Sequence, residues 1–222
     1  MKTDATFGQA VKILNLVEQK EMPCDQLQKL LGSGLLSDLL EANIDVIDRN
    51  AFRRLVGLEP TNTLLEPLGT IIVLATEKFV AKENFIVNTG RKAPVKISFV
   101  GSNFSEWFLG KVEEPRPETQ LRYAKLLKYS VDRPILAELG NTAETTLAEI
   151  FQLMLNQSNG EDGTLLTNGY ANIFYVRDVN GELRAVDVRW DGGGWYVDAD
   201  SVGFPFEWHD GYRVFSCNSC SA

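Results

Sequence analysis

The stretch YANIFYVRDVNGELRAVDVRW, residues 170–190, constrains the fold more than any other part of the chain. Its two halves are rich in β-branched and aromatic residues and flank Asn180-Gly181, a dipeptide that type I′ turns favour because both central residues need a positive φ. We therefore expect an antiparallel hairpin with a two-residue loop at this dipeptide. The apolar residues of its second strand, from Leu183 to Val188, sit among charged ones, so we expect one face of that strand to be solvated.

The next segment, DGGGWYVDAD (191–200), contains three consecutive glycines. We expect them to form a tight or bulged turn from the VDVRW strand into a WYVDA strand, so that the hairpin continues as a β-meander. Strand alternation then places Trp195 and Val197 on one face, and Tyr196, Asp198 and Asp200 on the other.

The middle of the chain also has the β-branched and aromatic content of strands, interrupted by Gly, Pro and Asn. The expected strands are GTIIVLA (69–75), NFIVN (84–88), VKISFVG (95–101), LRYAKLLKYS (121–130) and PILAEL (134–139). One helix interrupts them, with Asn141 as its N-cap, Glu144 three residues later, and apolar residues between Leu147 and Leu155 on one face. Together these signals predict an antiparallel β-sheet domain of the α+β class with one main packed helix.

The first sixty residues instead show apolar residues at helical spacing. We expect four short helices there: one after Asp4, one from Pro23 to the GSG at 32–34, one over 35–43, and one capped by Asp48 and closed at Gly57. They would form a small helical bundle. The expected organisation is a helical module at 1–60, a linker at 61–68, the α+β domain at 69–216 and a tail at 217–222.

Charge is distributed unevenly along the chain. Residues 141–222 carry 12 Asp and Glu but only 4 Arg and no Lys, whereas the preceding 140 residues are balanced. Because nucleic-acid binding depends on Lys and Arg that replace counterions, this acidic third disfavours nucleic acid as a partner. A helix-turn-helix outline in residues 24–43 carries Asp38 and Glu41 on its would-be recognition helix, which makes base reading improbable.

The sequence also bears on the compartment. The start, MKTDATFGQA, lacks the pattern of a secretory signal, and no apolar run approaches the roughly 18 residues that a membrane span needs. The three cysteines, Cys24, Cys217 and Cys220, are odd in number and form no regular framework, which favours a reducing compartment. We therefore expect a cytoplasmic protein without a membrane association.

Four strings are similar to sequences of an uncharacterised family of hypothetical proteins from uncultivated candidate-phylum bacteria. They are SEWFLGKVEEP (105–115), SVDRPILAELG (130–140), TNGYANIFYVRDVNGELRAVDV (167–188) and DGYRVFS (210–216). The resemblance covers roughly residues 80–216 and implies a recurring domain of unknown function in a bacterial, cytoplasmic protein. It implies no catalytic residues.

The glycine-rich segment fails the phosphate-binding templates, because no lysine and no helix start follow Gly192 to Gly194. It also fails as an EF-hand. Asp198, Asp200 and Gly203 fit the first, third and sixth positions, but Val202 and His209 occupy the fifth and twelfth, where carboxamide or carboxylate oxygens are needed. The Cys217-Asn218-Ser219-Cys220 motif has too few further ligands for a structural zinc site. We therefore predict neither a cofactor nor a metal.

Enzymatic chemistry stays open as an alternative. A carboxylate-based hydrolase needs two facing Asp or Glu residues with separated pKa values, and the C-terminal third offers many pairings without selecting one. His209 is the only histidine, so any site that uses histidine must use this one. The candidate catalytic residues of this alternative are His209, Asp187 and Asp210, with or without a divalent metal.

Aromatic residues concentrate in the acidic third, which is typical of a recognition surface and equally typical of a closing β-core. The preferred hypothesis is a non-enzymatic module that binds a protein partner through an acidic aromatic C-terminal surface. Exposed indoles at Trp195 or Trp208 would favour it over the enzyme. The candidate binding residues are Trp190, Trp195, Tyr196, Asp198, Asp200 and Trp208.

Overall fold

A computed structural model describes residues 11, 15, 17–20, 22–42, 49–58 and 63–218. The chain divides into two compact units, Met1–Leu55 and Val56–Ala222, and the second is called the sheet domain below. Within the described residues, no helix is both long enough and apolar enough to cross a membrane.

Among the described residues of the first unit, three short helices have defined bounds: α1 (Cys24–Gly32), α2 (Leu35–Glu41) and α3 (Arg49–Leu55). Residues 11, 15 and 17–19 are also helical. The end of α1 at the glycine-rich segment confirms that prediction, and Gly57 follows α3 with a φ of +73°. No residue of α1 or α2 is buried, so the expected bundle stays a prediction. The expected caps Asp4 and Asp48 lie outside the described residues.

The sheet domain is built on one seven-stranded sheet with the strand order β1-β5-β9-β6-β7-β8-β3. A separate two-stranded sheet pairs β2 with β4. The strands are β1 (Leu65–Val73), β2 (Phe79–Val80), β3 (Ile97–Val100), β4 (Val112–Glu113), β5 (Thr119–Leu126), β6 (Asn172–Arg177), β7 (Leu183–Trp190), β8 (Trp195–Ser201) and β9 (Arg213–Cys217).

The α+β class is correct, but the sheet is mixed rather than antiparallel. The pairs β3 with β8 and β6 with β9 are parallel, and the other neighbours are antiparallel. The antiparallel prediction rested on hairpin connections, which hold only for the meander β6-β7-β8. In contrast, β3 pairs with β8 and β9 pairs with β6, and each of these pairs is separated by a long connection. Such connections allow paired strands to run parallel. In addition, β1 begins at Leu65, inside the segment 61–68 that we expected to be a linker.

Helices of the sheet domain depart further from the sequence expectations. They are α4 (Ala81–Asn84), α5 (Ser102–Phe108), α6 (Asp132–Leu139) and α7 (Leu147–Asn156). The strand predicted at 134–139 is wrong, because α6 occupies it; Pro134 is tolerated in a first helical turn, and short apolar runs do not distinguish strand from helix. The strand predicted at 84–88 is also wrong, since Asn84 ends α4 and only Asn88 forms a bridge, to Ile97.

The main helix α7 begins five residues later than predicted. Its N-cap is Thr146, whose hydroxyl accepts a hydrogen bond from the Glu149 N–H (3.2 Å) while the Glu149 carboxylate accepts one from the Thr146 N–H (2.8 Å). This is a capping box. A buried carboxylate from β4, Glu113, also accepts from the Leu147 and Ala148 N–H groups (3.1 and 2.9 Å). Asn141 lies in a 3₁₀ turn instead.

Apolar side chains cover both faces of the sheet. On one face, α7, α5 and the Phe85 region pack against strand residues that include Phe174, Val186, Trp195 and Phe215. On the other face, α6 and the segment 202–212 pack against Ile173, Tyr175, Ala185 and Val214. Consequently β7 is buried on both faces between residues 185 and 188, and the prediction of one solvated face is wrong.

The loop between β6 and β7 has three residues, Val179–Gly181, rather than two. The Asp178 N–H donates to the Glu182 carbonyl (2.8 Å), the Gly181 N–H donates to the Asp178 carbonyl (3.1 Å), and Gly181 has a φ of +83°. The Asp178 carboxylate favours this longer loop, because it accepts hydrogen bonds from the N–H groups of Asn180 (2.8 Å) and Glu182 (3.0 Å).

The three glycines between β7 and β8 form the predicted turn, and the two strands that they join pair antiparallel. Two of the three glycines are constrained, each in a different way. Gly192 has a φ of +86°, which side chains rarely adopt. At Gly194 a Cβ would lie 2.8 Å from the Ser98 backbone nitrogen on β3, whereas at Gly193 it would meet nothing within 4 Å.

We expect Gly194→Ala to lower the free energy of unfolding by about 1–3 kcal/mol, because the methyl group collides with the backbone of the neighbouring strand. The matched control is Gly193→Ala, which we expect to stay within about 0.5 kcal/mol of the parent. Urea denaturation followed by circular dichroism measures both. Equal effects of the two substitutions would show that β3 and β8 do not approach each other as described.

Candidate functional site

Three carboxylates lie together on one face of the meander. Strand register pairs Asp187 of β7 directly with Asp198 of β8, and Ala185 with Asp200. Because paired residues share a face of the sheet, all three carboxylates lie on the face that α6 and the segment 202–212 partly cover. The alternation of burial along β8 confirms the predicted division between Trp195 and Val197 on one face and Asp198 and Asp200 on the other.

Asp187 is the most unusual of these groups. It is 5 % exposed, and burial raises the pKa of its carboxyl to about 6, with the nearby Asp198 and Asp200 charges acting in the same direction. The compensating contact is an ion pair at 3.5 Å with the Nε of Arg189, two residues along the strand. Desolvation of the charged form therefore outweighs the attraction of the guanidinium.

Arg189 is held by an aromatic stack. Its guanidinium lies 4.3 Å above the ring of Tyr196, and Tyr196 stacks on Phe99 of β3 with a centroid distance of 4.3 Å. The Tyr196 hydroxyl donates to the Asp198 carboxylate (3.4 Å), which also accepts from the Ala199 N–H (2.8 Å). Burial and the Asp198 charge raise the pKa of the Tyr196 phenol.

A second buried carboxylate, that of Asp132, anchors the segment 202–212 from inside the domain. Asp132, the first residue of α6, accepts hydrogen bonds at one oxygen from the Trp208 indole N–H (2.7 Å) and the Tyr175 hydroxyl (2.9 Å). Burial raises the pKa of Asp132 although both bonds lower it, and the Asp200 charge raises it further. The network ties α6, β6 and the segment 202–212 into one unit.

Aromatic rings continue from this network towards the carboxylates. His209 lies between Tyr129 and Tyr212, with centroid distances of 4.7 and 5.7 Å, and Tyr170 packs edge-on against Tyr212 at 5.5 Å. Phe206 packs against Trp208 at 5.2 Å. Burial raises the pKa of the Tyr212 phenol, Arg189 lowers it, and the Asp187 charge raises it further.

We name this surface the acidic aromatic face. Several of its rings are largely open to solvent, with exposed fractions of 56 % for Tyr129 and 44 % for Phe206. It consists of the carboxylates of Asp187, Asp198 and Asp200 and the rings of Tyr129, Tyr170, Tyr196, Phe206, His209 and Tyr212.

Of the other predicted binding residues, Trp195 and Trp208 are buried and Trp190 is partly buried. Trp195 is fully buried and its indole N–H donates to the Gln157 carbonyl (3.1 Å), while Trp208 is 3 % exposed. Trp190 packs edge-on against Trp195 and contacts Gly160 on the face opposite the carboxylates. The indoles of Trp195 and Trp208 are therefore core groups, and neither provides the exposed indole that would have favoured binding.

The three residues of the hydrolase alternative are not joined by hydrogen bonds in the described residues. The His209 imidazole makes ring contacts with Tyr129 and Tyr212, and Asp210 is exposed. Asp187 forms an ion pair with Arg189, and the charges of the other two carboxylates of the face raise its pKa. Among the described residues, no group of three or more His, Cys, Asp or Glu side chains has a geometry suited to a metal ion.

A cleft of about 470 Å³ lies away from these carboxylates. Its walls come from the start of β5, the turn before α7 and the first turn of that helix, and they include Arg116, Thr119, Glu144 and Glu149. The Thr119 hydroxyl already donates to Glu149, and Glu144 forms an ion pair with Arg177 at 2.9 Å. Polar groups of the cleft are thus partly engaged with each other.

Sequence reasoning did not identify several residues of the site, namely Asp132, Tyr129, Tyr170, Arg189 and Tyr212. Tyr129 belongs to a segment that was predicted to be a strand, and Asp132 lies between two predicted strands. The contact from Asp132 to Trp208 spans 76 residues, so no local pattern indicates it. A local signal existed for Arg189, because it is two residues from Asp187 on one strand and therefore shares its face.

No protein-family model, no curated protein and no solved structure matches this chain. The resemblance to candidate-phylum hypothetical proteins therefore stays a prediction.

The buried Asp187 carboxylate predicts a pH-dependent difference in stability. Its pKa of about 6 in the folded protein exceeds the unfolded value of about 4, so the folded state binds more protons between these pH values. Asp187 consequently destabilises the fold increasingly as pH rises through this window. We expect Asp187→Asn to match the parent near pH 4 and to exceed its stability by roughly 1–3 kcal/mol above pH 7.

Urea denaturation from pH 4 to 8 measures this difference, and Asp162→Asn, at an exposed loop position, is the matched control. A difference that does not change with pH, or a variant that is less stable above pH 7, would show that Asp187 is not desolvated as described.

Proposed function

We propose that this protein is a non-enzymatic protein-binding module whose acidic aromatic face binds a basic segment of a partner protein. The observation that carries this proposal is the combination of exposed rings with carboxylates that lack enough cations around them. Arg189 is the cation that pairs with these carboxylates among the described residues, and it pairs with Asp187.

Charge complementarity supports a basic partner. The C-terminal third carries three times as many acidic as basic residues and contains no lysine. Approach of Lys or Arg side chains would relieve the repulsion between Asp198 and Asp200, which together with burial raises the pKa of Asp200. An acidic partner or a phosphate backbone would increase that repulsion.

The aromatic rings support the same class of partner. Tyrosine rings attract Lys and Arg through their negative faces, and they contribute contact area at a small cost in side-chain entropy. Tyr212 packs against Trp208, which Asp132 anchors from inside the domain, and His209 stacks on Tyr212. Binding groups placed by a rigid support lose less freedom when a partner binds.

We further propose that the protein acts in the cytoplasm of a bacterium. The three cysteines of the sequence are odd in number and form no regular framework, which is typical of proteins from a reducing compartment.

A defined peptide panel tests the binding proposal. Fluorescein-labelled peptides of equal length, with lysine and arginine, with serine and glutamine, or with glutamate at the same positions, are titrated with the protein and followed by fluorescence anisotropy. We expect the basic peptides to bind at least about tenfold more tightly than the neutral ones, with the acidic ones weakest. Equal affinities across the panel would overturn the proposal.

One observation favours the hydrolase as a second candidate. A carboxyl with a pKa of about 6 next to another carboxylate is the arrangement from which general acid catalysis draws its proton. Hydrolysis of p-nitrophenyl acetate and bis-p-nitrophenyl phosphate, with and without Mg²⁺ or Zn²⁺, tests it. Turnover that Asp187→Asn abolishes and Asp162→Asn retains would establish the enzyme; the absence of turnover for both substrates would remove it.

A further inference from the structure

The strand β1 forms one edge of the seven-stranded sheet. In the described part of the chain, β5 is the strand that pairs with it, and its other edge pairs with none. An open edge is a template for a further strand, because its outward N–H and C=O groups lack partners.

The beginning of this edge is protected against such pairing. The Glu138 carboxylate accepts hydrogen bonds from the N–H groups of Leu64 (2.7 Å) and Leu65 (3.1 Å). Pro67 has no N–H to offer, and the register shifts between Pro67 and Gly69. Carboxylates, prolines and bulges are the devices that natural proteins use to block an edge.

The rest of the edge has no such device. From Gly69 to Thr76 the chain contains no charged residue, although charged residues make up 23 % of the protein. Ile72 is 53 % exposed, and the exposed Leu74 follows at the next alternate position, just past the end of β1 at Val73. From Gly69 to Val73, β1 is therefore an uncharged edge in regular register with β5.

Charge indicates which occupant fits this edge. Two copies of a chain with a net charge of −8 repel each other over most of their surfaces, but the uncharged stretch Gly69–Thr76 brings no like charges together when it pairs with itself. The opposite edge, β3, has only four residues and lies beside Asp198, whose carboxylate is packed against Gly101. Two copies would therefore meet at β1 with the least electrostatic cost.

We propose that two copies of this protein pair through β1, antiparallel and about a twofold axis, to form one continuous sheet. An axis near Ile71 sets Thr70 opposite Ile72 of the partner subunit, within the regular part of the strand. Apolar and β-branched residues in such cross-strand pairs stabilise an antiparallel ladder. This contact is isologous, because each copy contributes the same surface.

Light scattering coupled to size-exclusion chromatography, together with sedimentation over the micromolar range, tests the proposal. We expect the full chain to have twice the mass of its 24.8 kDa monomer at the higher concentrations. Ile72→Lys combined with Leu74→Lys should give the monomer mass, because lysine at an edge blocks strand addition. Val87→Lys combined with Val179→Lys, two exposed aliphatic positions outside β1, should leave the dimer intact.

Hydrogen exchange of the unmodified chain is a second test, which does not depend on whether the lysine variant folds. The amides of residues 69–73 in the unmodified chain should gain protection as concentration rises, while those of β3 should not. A monomer at every concentration, a dimer that the β1 variant retains, or unchanged protection of β1 would overturn the proposal. Asp198→Asn with Asp200→Asn should leave the mass unchanged, so this result is independent of the binding function proposed above.

Discussion

Replacing Asp132 with alanine is expected to lower the free energy of unfolding of the sheet domain by about 3–5 kcal/mol. The substitution removes the single oxygen that accepts hydrogen bonds from both the Trp208 indole and the Tyr175 hydroxyl. Both donors are buried, so each would lose its partner without gaining water. Chemical denaturation followed by circular dichroism measures the loss.

The matched control is Asp132→Asn, which keeps an acceptor oxygen but removes the charge. We expect it to cost about 1 kcal/mol or less at neutral pH, because burial already disfavours the ionised form. Equal losses for alanine and asparagine would assign the stabilisation to the charge. A negligible loss for alanine would show that the network does not anchor the segment 202–212.

The second large effect concerns Trp195, for which we expect Trp195→Ala to cost about 3–5 kcal/mol. Its side chain is fully buried between the sheet and the start of the loop after α7, and it packs edge-on against Trp190 at 5.5 Å. Deletion of this ring leaves a large cavity that the surrounding residues fill only in part. Thermal and urea denaturation report the loss.

Trp195→Phe separates packing from hydrogen bonding. It keeps an aromatic ring but loses the N–H that donates to the Gln157 carbonyl, so we expect a cost of about 1–2 kcal/mol. If Trp195→Ala instead left stability unchanged, the indole would be a surface group, and its original assignment as a binding residue would regain support.

These two residues show what local sequence patterns determine and what they leave open. Alternation along WYVDAD placed Trp195 and Asp198 on opposite faces correctly, because the period of a strand is a local property. It did not determine which face a helix would cover. Burial of Trp195 depends on α7, whose packing against the sheet lies beyond any local pattern.

The helices likewise show that local sequence patterns can fit more than one structure. The capping box of Thr146 and Glu149 was present in the sequence, but Asn141 and Glu144 offered a competing pattern of the same kind. For α6, the apolar run after Pro134 fits a strand and a helix equally well until the buried network at Asp132 is known.

The candidate site depends both on strand register, which is local, and on contacts between segments that are distant in sequence. Asp187, Asp198 and Asp200 follow from strand register and could be grouped from the sequence once the meander was predicted. Their surroundings could not be grouped, because Tyr129, Tyr170 and Tyr212 come from three separate segments that meet only in the folded domain. The raised pKa of Asp187 comes from its burial in the folded domain and from the charges of Asp198 and Asp200.

The central claim is that the carboxylates of the acidic aromatic face bind a basic segment of a partner. Its most direct test is the affinity of the basic fluorescein-labelled peptide for Asp198→Asn/Asp200→Asn, compared with Asp162→Asn/Glu182→Gln, which removes the same charge from exposed positions outside the face. We predict about a tenfold or greater loss of affinity for the first pair and little change for the second, with a smaller difference at high salt. Equal affinities of the two variants for the peptide would contradict the claim.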